Sequence, residues 1–84
     1  MDKYEGLREK LSNQEFPCKY MFKFITSKEN LPQLMPFFED AEIRTKPSSK
    51  GTYISFTAVV IMISAEEIIQ RYKSLSHIDG LISL

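Results

Sequence analysis

Thr52-Tyr53-Ile54-Ser55-Phe56-Thr57-Ala58-Val59-Val60-Ile61-Met62-Ile63 is the strongest strand pattern in the chain, and its reading decides the fold. Ile54, Phe56, Ala58, Val60 and Met62 share one side of a period-two ribbon; Tyr53, Ser55, Thr57, Val59, Ile61 and Ile63 share the other. The first side is apolar throughout and belongs in a core. The second begins polar and ends apolar, which asks for cover near its C-terminal half.

Upstream, Ser48-Ser49-Lys50-Gly51 has the composition of a turn, with Gly51 free to take a positive φ, so a hairpin is expected. Its first arm, Ala41 to Lys46, is a weaker strand whose Glu42, Arg44 and Lys46 share a face. Pro47 near its end suits a sheet edge, where a missing N–H does no harm. Before it, Leu31, Leu34, Met35 and Phe38 follow the spacing of a core-facing helical stripe. Ser27 or Asn30 can cap that helix and Pro32 fits its first turn, but Pro36 predicts that it is short or bent. Cys18 to Thr26 reads as another strand, with Tyr20, Phe22 and Phe24 on one face and Lys19, Met21 and Lys23 on the other. Tyr4, Leu7 and Leu11 predict a short helix in an N-terminal extension, residues 1–16, that ends before Phe16-Pro17.

Downstream, Ser64-Ala65-Glu66-Glu67 is a capping box, and its carboxylates suit the positive end of a helix dipole. Ala65, Ile68, Ile69, Tyr72 and Leu75 mark the buried stripe of the helix that follows. Gly80 stops it, and Leu81 to Leu84 makes a short final strand. The order after the extension is β-α-β-β-α-β, the ferredoxin-like α+β pattern. The expected sheet is four-stranded and antiparallel in order 4-1-3-2, with two helices on one face and the other face open. The two most apolar strands are the first and third, which places them at the centre. One domain, 1–84, accounts for the whole sequence.

Eleven basic and eleven acidic side chains give zero formal charge and no overall attraction for nucleic acid or anionic membrane. One cysteine cannot form an internal disulfide and fits a reducing cytoplasm. Met1 to Lys10 is charged, with no apolar core of a signal peptide, and the longest apolar run, Ala58 to Ile63, is far short of a membrane span. A cytoplasmic protein is expected.

Catalytic chemistry finds little to work with. Cys18 and His77 are the only candidates for a Cys–His nucleophile pair, and the topology sends them to opposite ends of the sheet. One His and one Cys make no zinc site. Glu66 and Glu67 point about 100° apart on a helix and do not converge. With glycine only at positions 6, 51 and 80, no phosphate-cradling loop can be written. No catalytic residue, metal or cofactor is assigned, and an enzyme is not expected.

The hairpin draws more interest. Arg44, Lys46 and Lys50 are the only charges between Glu42 and Glu66. Lys46, Ser48, Ser49, Lys50 and Gly51 form the candidate ligand site, where hydroxyls and turn amides could receive an anion. The competing reading is a solvated turn whose lysines keep an edge strand from aggregating. Lys50 to Phe56 follows the outline of the RNA-binding RNP1 motif, but its stacking positions hold Thr52 and Ile54, so RNA is set aside. On the open face Tyr53, Val59 and Ile61, with Met21, form the candidate interface for a homodimer or a protein partner. Alternatively the N-terminal helix folds over that face with Tyr4, Leu7 and Leu11.

Glu15-Phe16-Pro17-Cys18-Lys19-Tyr20, Lys46-Pro47-Ser48-Ser49-Lys50-Gly51-Thr52-Tyr53 and Arg71-Tyr72-Lys73-Ser74-Leu75-Ser76-His77-Ile78-Asp79-Gly80 together carry a resemblance. The chain resembles the YbeD-like family of small bacterial proteins of unknown function, most specifically in the KPSSKG hairpin. The resemblance implies an architecture like that of ACT-type regulatory domains, which sense small molecules, and a family-level association with lipoate metabolism. It implies no catalytic residue. The function expected is a non-enzymatic, dimeric regulatory or ligand-binding domain for an anionic metabolite; a protein-interaction adaptor using the open face is the alternative.

Overall fold

The period-two pattern of residues 53–62 is realised in full in the computed structural model, which describes residues 3–84; the first two residues of the N-terminal extension lie outside it. Strand β3 (Tyr53–Met62) buries Ile54, Phe56, Ala58, Val60 and Met62. It pairs antiparallel with β1 (Cys18–Ser27) on one side and β2 (Glu42–Pro47) on the other. A two-residue β4 (Ile82–Ser83) pairs with the far side of β1. Among the described residues the four strands make one antiparallel sheet in order β2-β3-β1-β4, consistent with a ferredoxin-like fold. Read from the other edge, the same sheet runs β4-β1-β3-β2.

Three α-helices accompany the sheet among the described residues: α1 (Glu5–Leu11), α2 (Leu31–Leu34) and α3 (Ala65–Leu75). One face of the sheet carries the core. Phe22 and Phe24 from β1, Phe56 from β3 and Phe38 meet there with ring centroids 5.3 to 6.5 Å apart. Leu34, Ile68, Ile69 and Leu75 close over them. Such offset and tilted aromatic contacts add to the burial of apolar surface that stabilises the domain.

Residues 28–38 do not form one helix. They form a 3-10 turn (Lys28–Asn30), the single turn α2, and a second 3-10 turn (Met35–Phe38). Pro32 lies in the first turn of α2, where its absent N–H is not missed, whereas Pro36 cannot continue an α-helical ladder and the chain tightens. This tightening corrects one expectation: Met35 is rotated out of the buried stripe and is 43% exposed, while Leu34 and Phe38 stay in the core. The expected capping role also fails. Neither Ser27 nor Asn30 makes a side-chain cap; Asn30 Nδ2 donates instead to the Asp79 carbonyl at 2.6 Å, tying this segment to the loop before β4.

At the start of α3 the expected cap is present, with Ser64 Oγ accepting from the Glu67 amide at 3.1 Å. Gly51 takes φ of 71° in the hairpin turn, the left-handed conformation expected there. Gly80 takes φ of 77° in the loop before β4, but it does not stop the helix as expected: α3 already ends at Leu75, with Ser76 as its C-cap.

The N-terminal helix does not cover the open face. It is shorter than its extension, ending at Leu11, and packs on the helical side. Leu11 is in the core with Tyr4 and Leu7 packed against it, and Arg8 Nε meets Glu66 of α3 at 2.7 Å. The driving force is apolar: the stripe Tyr4, Leu7 and Leu11 finds the hydrophobic margin of the core, whereas the open face offers it four cations and only scattered apolar side chains.

Candidate functional site

A concavity lies where α1, α3 and β4 meet. It has a volume of about 620 Å³, within the usual range for small-molecule sites. Phe24, Leu75 and Ile78, all buried, contribute its apolar depth. Tyr4 and Leu7 of α1 form one wall, and Leu81 and Leu84 form another. Lys3 and Lys10 are exposed at its rim, and no Asp or Glu side chain is among the described residues that line it.

Tyr20 from β1 and Tyr72 from α3 bring their hydroxyls together in this cleft, 2.9 Å apart. Two phenols bonded to each other use one O–H between them, which leaves the other O–H to donate elsewhere. Burial pushes the Tyr72 phenol well above its ordinary range, the bond to Tyr20 adds to this, and Ser83 offsets it slightly. Tyr72 therefore stays protonated near pH 7, and either phenol can be the donor within the pair.

The hairpin residues are all exposed: Lys46, Ser48, Ser49, Lys50 and Gly51. The turn engages several of the donors that an anion would need. The Ser48 amide donates to the Tyr53 carbonyl at 2.8 Å and the Gly51 amide to the Ser48 carbonyl at 2.9 Å. Ser48 Oγ accepts from the Tyr53 amide at 3.3 Å. Lys46 belongs to the sheet surface opposite Ser55, while Lys50 belongs to the turn.

Tyr53, Val59 and Ile61 all face outward from β3, but they are not one patch. Eight residue steps of extended chain, roughly 26 Å, separate Tyr53 from Ile61, with Ser55 and Thr57 between them on the same face. Val59 is half-buried and pairs with Met21, whereas Tyr53 is 52% and Ile61 64% exposed. A shallow depression on this face is lined by Met21, Lys23, Glu42, Arg44, Thr57 and Val59.

Cys18 begins β1 opposite Met62, at the end of the sheet from which α3 departs, while His77 follows the other end of α3. The two cannot form a nucleophile pair. Among the described residues no cluster of His, Cys, Asp and Glu could hold a metal ion, and no helix is long and apolar enough to cross a membrane.

A family model described as "Protein of unknown function (DUF493)" matches residues 12–83. The chain belongs to this family. Among its relatives, UPF0250 protein VP0718 of Vibrio parahaemolyticus is 33% identical over 72 residues, covering 77% of this chain and 78% of that protein. A UPF0250 protein of Shewanella amazonensis is 34% identical over 74 residues, covering 80% and 84%. No solved structure matches the chain. The DUF493 match begins at residue 12, directly after α1, so the helix walling the cleft lies outside the matched segment.

The cleft was missed by sequence reasoning because its lining comes from four separated stretches that carry no local motif. One signal was available: Tyr4, Leu7 and Lys10 fall at helical spacing.

Proposed function

We propose that this DUF493 chain is a non-enzymatic ligand-binding domain, with an architecture like that of ACT-type regulatory domains, and that its site is the α1–α3–β4 cleft. The observation that carries the reading is the combination of an apolar cleft, a phenol pair with an O–H to donate, and lysines at the rim. This chemistry suits a small anion with an apolar body: the body fills the cleft while its charged group meets Lys3, Lys10 and the phenols. The separation of Cys18 from His77 supports a binding role rather than thiol catalysis. The open face supports the alternative of a protein adaptor, since it leaves Met21 59% and Ile61 64% exposed.

A thermal-shift screen against amino acids, lipoate, nucleotides and phosphorylated metabolites tests the reading. A ligand at a hundred times its Kd stabilises the fold by about 2.7 kcal/mol, several degrees for a domain of this size. A saturable hit from an anion with an apolar body, lost in Lys3→Ala/Lys10→Ala and kept in Lys46→Ala/Lys50→Ala, is expected. The opposite pattern returns the site to the hairpin. No hit across the panel overturns the ligand-binding reading in favour of the adaptor.

A further inference from the structure

Strand β2 stands at the edge of the sheet, and its charges are sorted along its length. Glu42 precedes Ile43, whereas Arg44 and Lys46 follow it. Register puts all three charges on the open face, opposite Val59, Thr57 and Ser55. Ile43 faces the other way, packed against the margin of the core.

The backbone is sorted too. Ser48 donates its amide to the Tyr53 carbonyl across the hairpin. In an antiparallel ladder the residues directed at the partner strand alternate with those directed away. Lys46, Arg44 and Glu42 therefore share the inward parity of Ser48, and Ile43 and Thr45 turn their N–H and C=O groups outward, unused by the sheet. Pro47 has the same outward parity but no N–H, so it ends the outward ladder where the strand itself ends.

We propose that a second copy of this chain occupies the edge, with the two β2 strands antiparallel about a two-fold axis at Ile43. The sheet then continues from one subunit into the other. The two-fold contact is isologous, so every favourable pair off the axis occurs twice. Ile43 and the partner's Ile43 form a hydrogen-bonded pair, exchanging N–H and C=O. On the open face Glu42 lies directly opposite the partner's Arg44, and Arg44 opposite the partner's Glu42. The neighbouring registers that keep backbone parity each oppose like charges: Glu42 to Glu42, Arg44 to Arg44, or Arg44 to Lys46. Ile43 alone among these centres avoids such a clash, and like charges directly opposite destabilise a strand pair.

Stacking two copies face to face is disfavoured by the same surface. Among the described strand residues, the open face carries Lys19, Lys23, Arg44 and Lys46 against a single acid, Glu42, although the whole chain is neutral. Edge pairing leaves that basic face uncovered and sets no cation opposite another.

Sedimentation velocity of the full chain, from micromolar to millimolar concentration at low and high salt, tests this. A reversible dimer is expected, its Kd rising with salt. E42R and R44E should each raise the Kd about tenfold or more, because each replaces two complementary pairs by two like-charged ones. The double swap E42R/R44E should restore dimerisation, and mixing the two single variants should give a heterodimer that neither forms alone. The Glu42 and Arg44 side chains are 74% and 83% exposed, so circular dichroism should show folded monomers. A separate readout needs no charge change. In a C18S background, I43C should form an intermolecular disulfide under mild oxidation, since hydrogen-bonded antiparallel pairs stand about 5.5 Å apart at Cα, while K50C should not. A monomer at every concentration, or a dimer indifferent to the swaps and uncrosslinked through I43C, overturns the proposal.

Discussion

Thr26 is fully buried on the core face of β1, across from Ile54, and its hydroxyl is unpaired among the described residues. A buried hydroxyl without a partner costs about 1–3 kcal/mol of desolvation. Thr26→Val keeps the branched shape and removes that cost, so thermal unfolding should show stability rising by about 1 kcal/mol. A lower Tm would mean that the site does accommodate the hydroxyl. Arg71 shows the opposite economy. Its guanidinium donates twice to Asp40, at 3.0 and 3.1 Å, and once to the Phe37 carbonyl at 3.2 Å, while lying over Phe22 and Phe38. The hydrogen bond from Arg71 holds the Asp40 carboxyl below its ordinary value of 3.8, against a smaller opposing effect of burial. Because the folded value is the lower one, this contribution is complete above the unfolded value and is lost as pH falls through the folded one. With the Asp40 side chain 55% exposed, screening limits it to about 0.2–1 kcal/mol. Asp40→Asn should therefore flatten the acid side of the stability-against-pH curve and leave its shape near pH 7 unchanged. Neither residue was legible in the sequence: Thr26 looked like any strand threonine, and 31 residues separate Arg71 from Asp40.

At the scale of elements, local rules succeeded where one pattern controlled the outcome. The alternation in β3 survived because a single-residue slip would turn five buried side chains into solvent. The cap on α3 survived because Ser64 and Glu67 are three residues apart and need nothing distant. Ser64→Ala should cost about 0.5–2 kcal/mol, measured by denaturant unfolding with an unchanged m-value; no loss would show that the helix is held by packing alone. The segment 28–38 was harder. Its prolines announced a break, but the phase slip that exposes Met35 depends on where the chain tightens. Asn30 was read as a cap because asparagine favours that position, yet the Asp79 carbonyl on a distant loop captured its amide. The hairpin was ambiguous in another way: serines, a glycine and lysines read as an anion cradle or as a self-contained turn. Only the geometry shows that the turn uses the Ser48 and Gly51 amides itself.

For the whole molecule, topology was legible because the two central strands are also the most apolar, and that asymmetry fixes which strands take the edges. Surface character was not. A chain with zero net charge still presents a basic sheet face, and composition averages this away. The cleft was equally hidden, since it exists only once α1 is placed beside α3 and β4. Its position has a practical meaning for anyone who engineers the protein. Lys3 and Leu84 line the same hollow, so a tag or fusion partner joined beside either residue would stand at the doorway of the proposed site. A short peptide bridging the two ends would roof that doorway, and a circular permutant reopened at the exposed Ser48–Gly51 hairpin would carry the roof as a built-in reporter of occupancy.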